Sequence, residues 1–139
     1  MTRYKITIEY DGTDLVGWQK QQEGPSVQSC LEDALFAFSH QKPEILAAGR
    51  TDAGVHALAQ VAHFDLDTKM ELFRLREAFN AHLRDMKAPV SVLDIEAVDD
   101  DFHARFKAKG RGYIYKILNR RARPILLENR VWWVPFPLD

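Results

Sequence analysis

The stretch RYKITIEY, residues 3–10, decides the fold. Tyr4, Ile6, Ile8 and Tyr10 fall on one side of an extended chain. Arg3, Lys5, Thr7 and Glu9 fall on the other, because successive side chains of a strand alternate. One apolar face and one polar face make a half-buried strand of an antiparallel sheet. Asp11-Gly12 stops the run. The stretch from there to Ser26, with one tryptophan and three glutamines, reads as a loop.

Working outward, Ser26 follows Pro25 and is placed to cap a helix over 26–39. Its stripe is Val27, Leu31, Ala34, Leu35 and Phe38. Pro43 blocks its continuation. Ile45–Ala48 and Leu58–Phe64 read as short extended runs. Thr68-Lys-Met-Glu71 has the form of a capping box ahead of a second helix striped by Leu72, Leu75, Phe79 and Leu83. Ser91–Val98 alternates, with Leu93, Ile95 and Ala97 expected on one face and Asp94 and Glu96 on the other. Arg111–Asn119 is the last strand. Strands returning after helices predict an α+β fold: an antiparallel sheet with helices on one face, in a split β-α-β, ferredoxin-like arrangement. The acidic run Asp99–Asp101 marks a shift from acidic to basic composition. It divides an α+β lobe over 1–101 from a following segment over 102–139.

Across 139 residues, 46% are hydrophobic and 28% charged, enough for a real core and too apolar for a disordered chain. The net charge of −1 gives no overall pull toward nucleic acid. The single cysteine, Cys30, excludes a disulfide framework and a cysteine-rich zinc site. It falls in a helical apolar pattern and reads as core. The N-terminal residues have no secretory h-region, and no apolar run has membrane-spanning length. A soluble cytoplasmic protein is expected.

The chemistry-bearing stretch is AAGRTDAGVHALAQVAHF, residues 47–64. If the backbone stays extended after Ile45, Arg50 and Asp52 project to the same side. A guanidinium there would keep the carboxylate ionised against the upward push of burial. Ala47, Ala48, Ala53 and Ala57 are small and leave room in front of Asp52. An ionised carboxylate in such a hollow is a nucleophile or general base. The competing reading makes Asp52-Ala-Gly54 a turn, with Asp52 its cap and Arg50 its ion pair. His56, four residues after Asp52, either touches a ligand or is a satisfied structural histidine.

A second feature is charge. From Phe102 to Arg123 the chain carries eight cations and no acid, with Tyr113 and Tyr115 interleaved. Cations among aromatics suit a phosphate backbone and an unstacked base. The plainer alternative is a solvated strand with snorkelling side chains. No two histidines have helical i, i+4 spacing, and no cysteine supports them, so no metal is expected. A glycine-rich phosphate loop is absent, so no nucleotide cofactor is expected. Trp132, Trp133 and Phe136 close the sequence as apolar residues in want of a covering surface.

These residues are specific enough to carry a resemblance. GRTDAGVHALAQVAHF closely resembles the signature of the tRNA pseudouridine synthase A (TruA) family. IEYDGTDLVGWQKQ, SVQSCLEDAL, FNAHL, DDFHARFKAKGRGYIYKI and Arg123-Pro124 are similar to the same family, in the same order, over nearly the whole chain. The resemblance implies an enzyme that isomerises uridine to pseudouridine in the anticodon stem-loop of tRNA. It implies Asp52 as catalytic nucleophile, Tyr113 stacking on the target base, and Arg50 pairing with Asp52 and holding the flipped nucleotide. Arg111 and His56 are further candidate substrate contacts. It implies no cofactor, no metal and a homodimer with tRNA lying across both subunits. Gly112 departs from the family pattern, where a bulkier or charged residue is common. The family also has a second lobe, with the catalytic cleft between the lobes. Residues 102–139 are then the start of a truncated second lobe, and this chain alone is expected to be inactive or nearly so. Two rivals stand beside this reading: a non-catalytic RNA-binding module with a structural Asp52, and a bare structural domain of a larger assembly.

Overall fold

A computed structural model describes residues 1–108, 110 and 112–138. The chain divides into two compact units, Met1–Ala108 and Lys109–Asp139. The first unit holds β1 (Thr2–Tyr10), α1 (Val27–Ser39), β2 (Leu46–Ala47), β3 (Ala57–Leu66), α2 (Leu72–Asp85) and β4 (Val90–Val98). The sheet order is β2-β3-β1-β4, and every neighbouring pair is antiparallel. β3 therefore lies between β1 and β2, and β1 between β3 and β4. Each helix connects two parallel strands separated by a third, which is the split β-α-β arrangement expected from the sequence.

Tyr4, Ile6, Ile8 and Tyr10 of β1 are buried as the alternation requires. They form one core with Leu31, Ala34 and Leu35 of α1, Leu75, Phe79 and Leu83 of α2, and Phe64 and Leu66 of β3. Both helices thus cover the same face of the sheet. Cys30 is buried there too. Ser26 caps α1: its hydroxyl accepts from the Ser29 amide at 3.1 Å, and the Ser29 hydroxyl accepts from the Ser26 amide at 2.9 Å.

Two local expectations are corrected. The Thr68–Glu71 capping box does not form. The Thr68 hydroxyl instead accepts from the Met70 amide, two residues on, so α2 begins only after Glu71, whose side chain makes no cap bond. In β4, the inward residues are Val90, Val92 and Ile95, while Leu93 is exposed and Ala97 faces away from the core. The register steps from Thr7↔Asp94 to Ile8↔Val92, leaving Leu93 as the extra residue of a β-bulge. A bulge reverses the alternation on either side of it, and period-two counting does not register it.

The first unit runs past the Asp99–Asp101 acidic run. Phe102–Ala104 packs onto the open face of the sheet, opposite the helices. Arg3 donates to the carbonyl of Phe102 at 2.7 Å, and the Ala104 amide donates to Nδ1 of His63 at 3.1 Å. Arg3 also forms a two-bond pair with Asp65, which holds the Asp65 carboxyl below the usual carboxylate range. His63 is 3% exposed, and its pKa falls from 6.5 to about 4, first through burial and then through His103 and Arg3.

In the second unit, β5 (Ile117–Asn119) and β6 (Trp132–Val134) pair in parallel. The strand expected over Arg111–Asn119 is confined to its last three residues, Ile117–Asn119; residues 112–116 have no regular secondary structure. Arg111 lies outside the described residues. Trp132, Trp133 and Phe136 are exposed. Among the described residues no helix is long and apolar enough to cross a membrane.

Candidate active site

Asp52 lies on the loop between β2 and β3, and that loop rests on the one that follows β1. Each is shaped by its own sequence. In the first, the Asp11 carboxylate accepts from the Thr13 amide at 3.0 Å and the Thr13 hydroxyl at 2.6 Å, folding the chain back at once. Leu15 and Trp18 are buried and anchor it from below. In the second, the Val55 amide donates to the Asp52 carbonyl at 3.2 Å, closing a β-turn with Gly54 at φ 83° in its third position.

The two loops interlock through backbone. The Trp18 amide donates to the Thr51 carbonyl at 3.0 Å, and the Gly54 amide to the Leu15 carbonyl at 3.4 Å. Two glycines make this approach possible. A Cβ at Gly12 would lie 2.1 Å from the Val55 carbonyl oxygen, and one at Gly17 would lie 2.6 Å from that of Thr51. Gly17 also sits at φ 98°. Side chains complete the clamp: the Tyr10 and Thr51 hydroxyls are 2.8 Å apart, and Gln60 donates to the Gly49 carbonyl at 2.6 Å.

His56 belongs to this clamp. Its Nδ1 accepts from the Gly12 amide at 2.9 Å and lies 3.3 Å from a carboxylate oxygen of Asp11. A nitrogen that accepts an amide proton carries its lone pair there, so the neutral ring holds its proton on Nε2. His56 thus ties the two loops together whatever else it touches.

The Asp52 side chain is exposed, as are those of Arg50, Ala53 and Val55. Among the described residues, Asp52 and Arg50 form no ion pair. This corrects the expected pairing. Residues two apart share a side only in extended chain, and the strand ends at Ala47, with Ala48 and Gly49 in a bend. Asp52 is not dry either: it is exposed in this chain. Nor does the carboxylate cap its own turn, because the turn bond uses the Asp52 backbone carbonyl. The result is a carboxylate on a firmly held backbone, with no structural bond of its own among the described residues.

Sequence reasoning missed how α1 supports this loop. Gln28 and Glu32, one helical turn apart, are buried within an otherwise apolar stripe. Gln28 donates to the Ile45 carbonyl at 3.1 Å, and Glu32 accepts from the Ile45 amide at 3.1 Å. The Glu32 carboxylate also takes the Lys20 ammonium at 2.8 Å, and that bond raises the Lys20 pKa. Both backbone groups at the entry to β2 are thereby satisfied. The available signal was a polar i, i+4 pair facing the core.

Tyr113 is exposed and lies in the second unit. The basic run is shared between the units: Arg105 and Lys107 belong to the first, Lys116, Arg120, Arg121 and Arg123 to the second, and all are exposed. Among the described residues no group of three or more histidine, cysteine or acidic side chains is gathered to hold a metal.

With this geometry in hand, comparison with known proteins is informative. A family model described as tRNA pseudouridine synthase matches residues 6–107, the span that contains both interlocked loops. The chain is 50% identical over 139 residues to a protein of Bartonella henselae named tRNA pseudouridine synthase A. It is 54% identical over 138 residues to the protein of that name from Wolbachia pipientis wMel, and 55% over 139 residues to that of Rhodopseudomonas palustris. These alignments take in 99–100% of this chain and 56% of each relative. The chain spans about half the length of the curated relatives it matches.

Proposed function

This chain belongs to the tRNA pseudouridine synthase family, and from that premise we propose that Asp52 is the nucleophile of a uridine-to-pseudouridine isomerisation in the anticodon stem-loop of tRNA. The supporting observation is the exposed carboxylate on a clamped backbone. A group that caps no turn and pairs with no described cation is free to meet a substrate, and its fixed main chain costs little reorganisation when it does.

In this reaction the C1′–N1 bond of the target nucleotide breaks, the uracil turns, and C5 bonds to C1′. The proton leaves C5 and N1 gains one, so the product is an isomer. Two routes use Asp52: addition of a carboxylate oxygen to the nucleotide, or removal of a proton from the sugar. Either needs the base out of its stack. Tyr113 is the aromatic face that keeps the detached uracil from leaving. Arg50 and Arg111 contact the flipped nucleotide, with His56 at the edge of the loop. The residues after Ala108, the second compact unit, begin the second lobe. The working enzyme is a cytoplasmic homodimer that needs no metal or cofactor.

The test uses the full-length protein. Asp52→Ala should bind tRNA within a few-fold of wild type and lose turnover, measured as pseudouridine formed in uridine-containing tRNA. Retained turnover would show that Asp52 is not the nucleophile, and a wild type that binds tRNA without turnover would be a plain RNA-binding module.

A further inference from the structure

A groove of about 420 Å³ lies where α2 ends and β4 begins, lined by Asn80, Arg84, Lys87, Ala88, Val90 and Ser91. No carboxylate lines it. Its floor is fixed, since the Asn80 amide both donates to the Val92 carbonyl at 2.9 Å and accepts from the Val92 amide at 2.7 Å. Arg84 and Lys87 are exposed at its rim, and neither has a carboxylate partner among the described residues.

Lys87 occupies a position that ordinarily selects glycine. The Ala88 amide donates to the Leu83 carbonyl at 3.0 Å, and the Lys87 amide to that of Arg84 at 2.9 Å. This is a Schellman motif with Lys87 at its left-handed position, φ 57°. A side chain held in that conformation points to a use for the side chain.

The groove also shares an end of the sheet with Asp52. Tyr10 pairs with Val90 on one side and Ala57 on the other, and its hydroxyl meets Thr51. The Asp11 amide donates to the Pro89 carbonyl at 3.0 Å. The α2–β4 turn, the loop that follows β1 and the Asp52 loop therefore lie side by side in space.

Resting on the reading of this chain as tRNA-modifying, we infer that the Arg84–Lys87 groove binds a phosphodiester of the RNA substrate, away from the reacting nucleotide. The groove is cation-rimmed and open, with Asn80 and Ser91 also in its lining, which suits a backbone phosphate and carries no base code. The rival explanation is that the two cations only complement the negative end of α2.

Lys87→Gly separates the two, because glycine relieves the left-handed backbone while removing the charge. In the full-length protein, wild type, Lys87→Gly, the Arg84→Gln/Lys87→Gly pair and Lys42→Gln are compared for tRNA affinity across a salt series. Lys42 is a cation near the opposite end of β1. The paired variant should raise Kd about 10-fold or more at 0.15 M salt and flatten the slope of log K against log salt by about 0.7–0.9, the share of one phosphate. Lys87→Gly should shift both in the same direction with a Tm at or above that of wild type, and Lys42→Gln should leave the slope unchanged. Unchanged affinity and slope in the paired variant would overturn the inference. So would a Lys87→Gly protein that loses Tm without losing slope, which is the helix-end role. If wild type itself neither binds tRNA nor modifies it, the functional reading has failed instead.

Discussion

Gly17→Ala tests the clamp under Asp52. At φ 98° an L-residue is strained, at a cost of about 1–2 kcal/mol. The added Cβ would stand 2.6 Å from the Thr51 oxygen, 3.2 Å from the Asp52 carbonyl carbon and 3.3 Å from the Ala53 nitrogen. All three are backbone atoms, so no side chain can swing aside, and overpacking of this kind adds about 1–3 kcal/mol. The total is about 2–5 kcal/mol if the loops stay together. If they part instead, the Trp18–Thr51 bond at 3.0 Å is lost and the Asp52 loop moves away from its support. At about 4 °C per kcal/mol for a unit of this size, Tm falls by about 8–20 °C. Either escape displaces Asp52, and a displacement of about 1 Å at a reacting group costs about 100-fold in rate. Gly54→Ala is the control: its φ is 83°, but a Cβ there meets nothing within 4 Å, so only the backbone strain applies. The assays are thermal unfolding and tRNA turnover of the full-length protein, the latter well below the variant's Tm. A Gly17→Ala protein matching wild type in both would refute the clamp.

Stability should depend on pH through His63. In the folded chain His63 titrates near about 4, against 6.5 when unfolded. Between those values only the unfolded chain takes the proton, so the contribution is complete above pH 6.5 and lost as pH falls to about 4. It amounts to at most about 3 kcal/mol. Urea unfolding from pH 7 to 4 should show this loss, and His63→Gln should be flatter over that window; parallel curves would contradict it. Glu32→Ala leaves the Ile45 amide without its acceptor at 3.1 Å and should cost about 1–3 kcal/mol, read by the same unfolding assay. Leu93→Lys should change stability by less than about 0.5 kcal/mol because the bulge turns Leu93 outward, whereas Val92→Ala should cost about 1 kcal/mol or more.

What the sequence disclosed was what depends on near neighbours. The alternation of Tyr4 to Tyr10 and the Ser26 cap are written within a few residues, and both stand in the structure. The β4 bulge depends on how Thr7 and Ile8 pair with another strand, so no count along Ser91–Val98 could reveal it. The Thr68 box had the right letters, but the Met70 amide competed for its hydroxyl. The site divides in the same way. Asp52 stood out in the sequence because an arginine, a threonine and an aspartate sit between two glycines. The Arg50–Asp52 pair assumed a strand that ends at Ala47. The partners that hold Asp52 in place, Trp18, Gly17 and Tyr10, lie more than thirty residues away in sequence, and only the fold brings them to it.

The most direct test of the central claim is covalent. The full-length protein is incubated with 5-fluorouracil-containing tRNA and the products are resolved by denaturing electrophoresis and nucleoside analysis. An adduct or altered nucleoside that forms with wild type and disappears in Asp52→Asn is the predicted result. The same product from Asp52→Asn, or tRNA that wild type binds and leaves untouched, would contradict it.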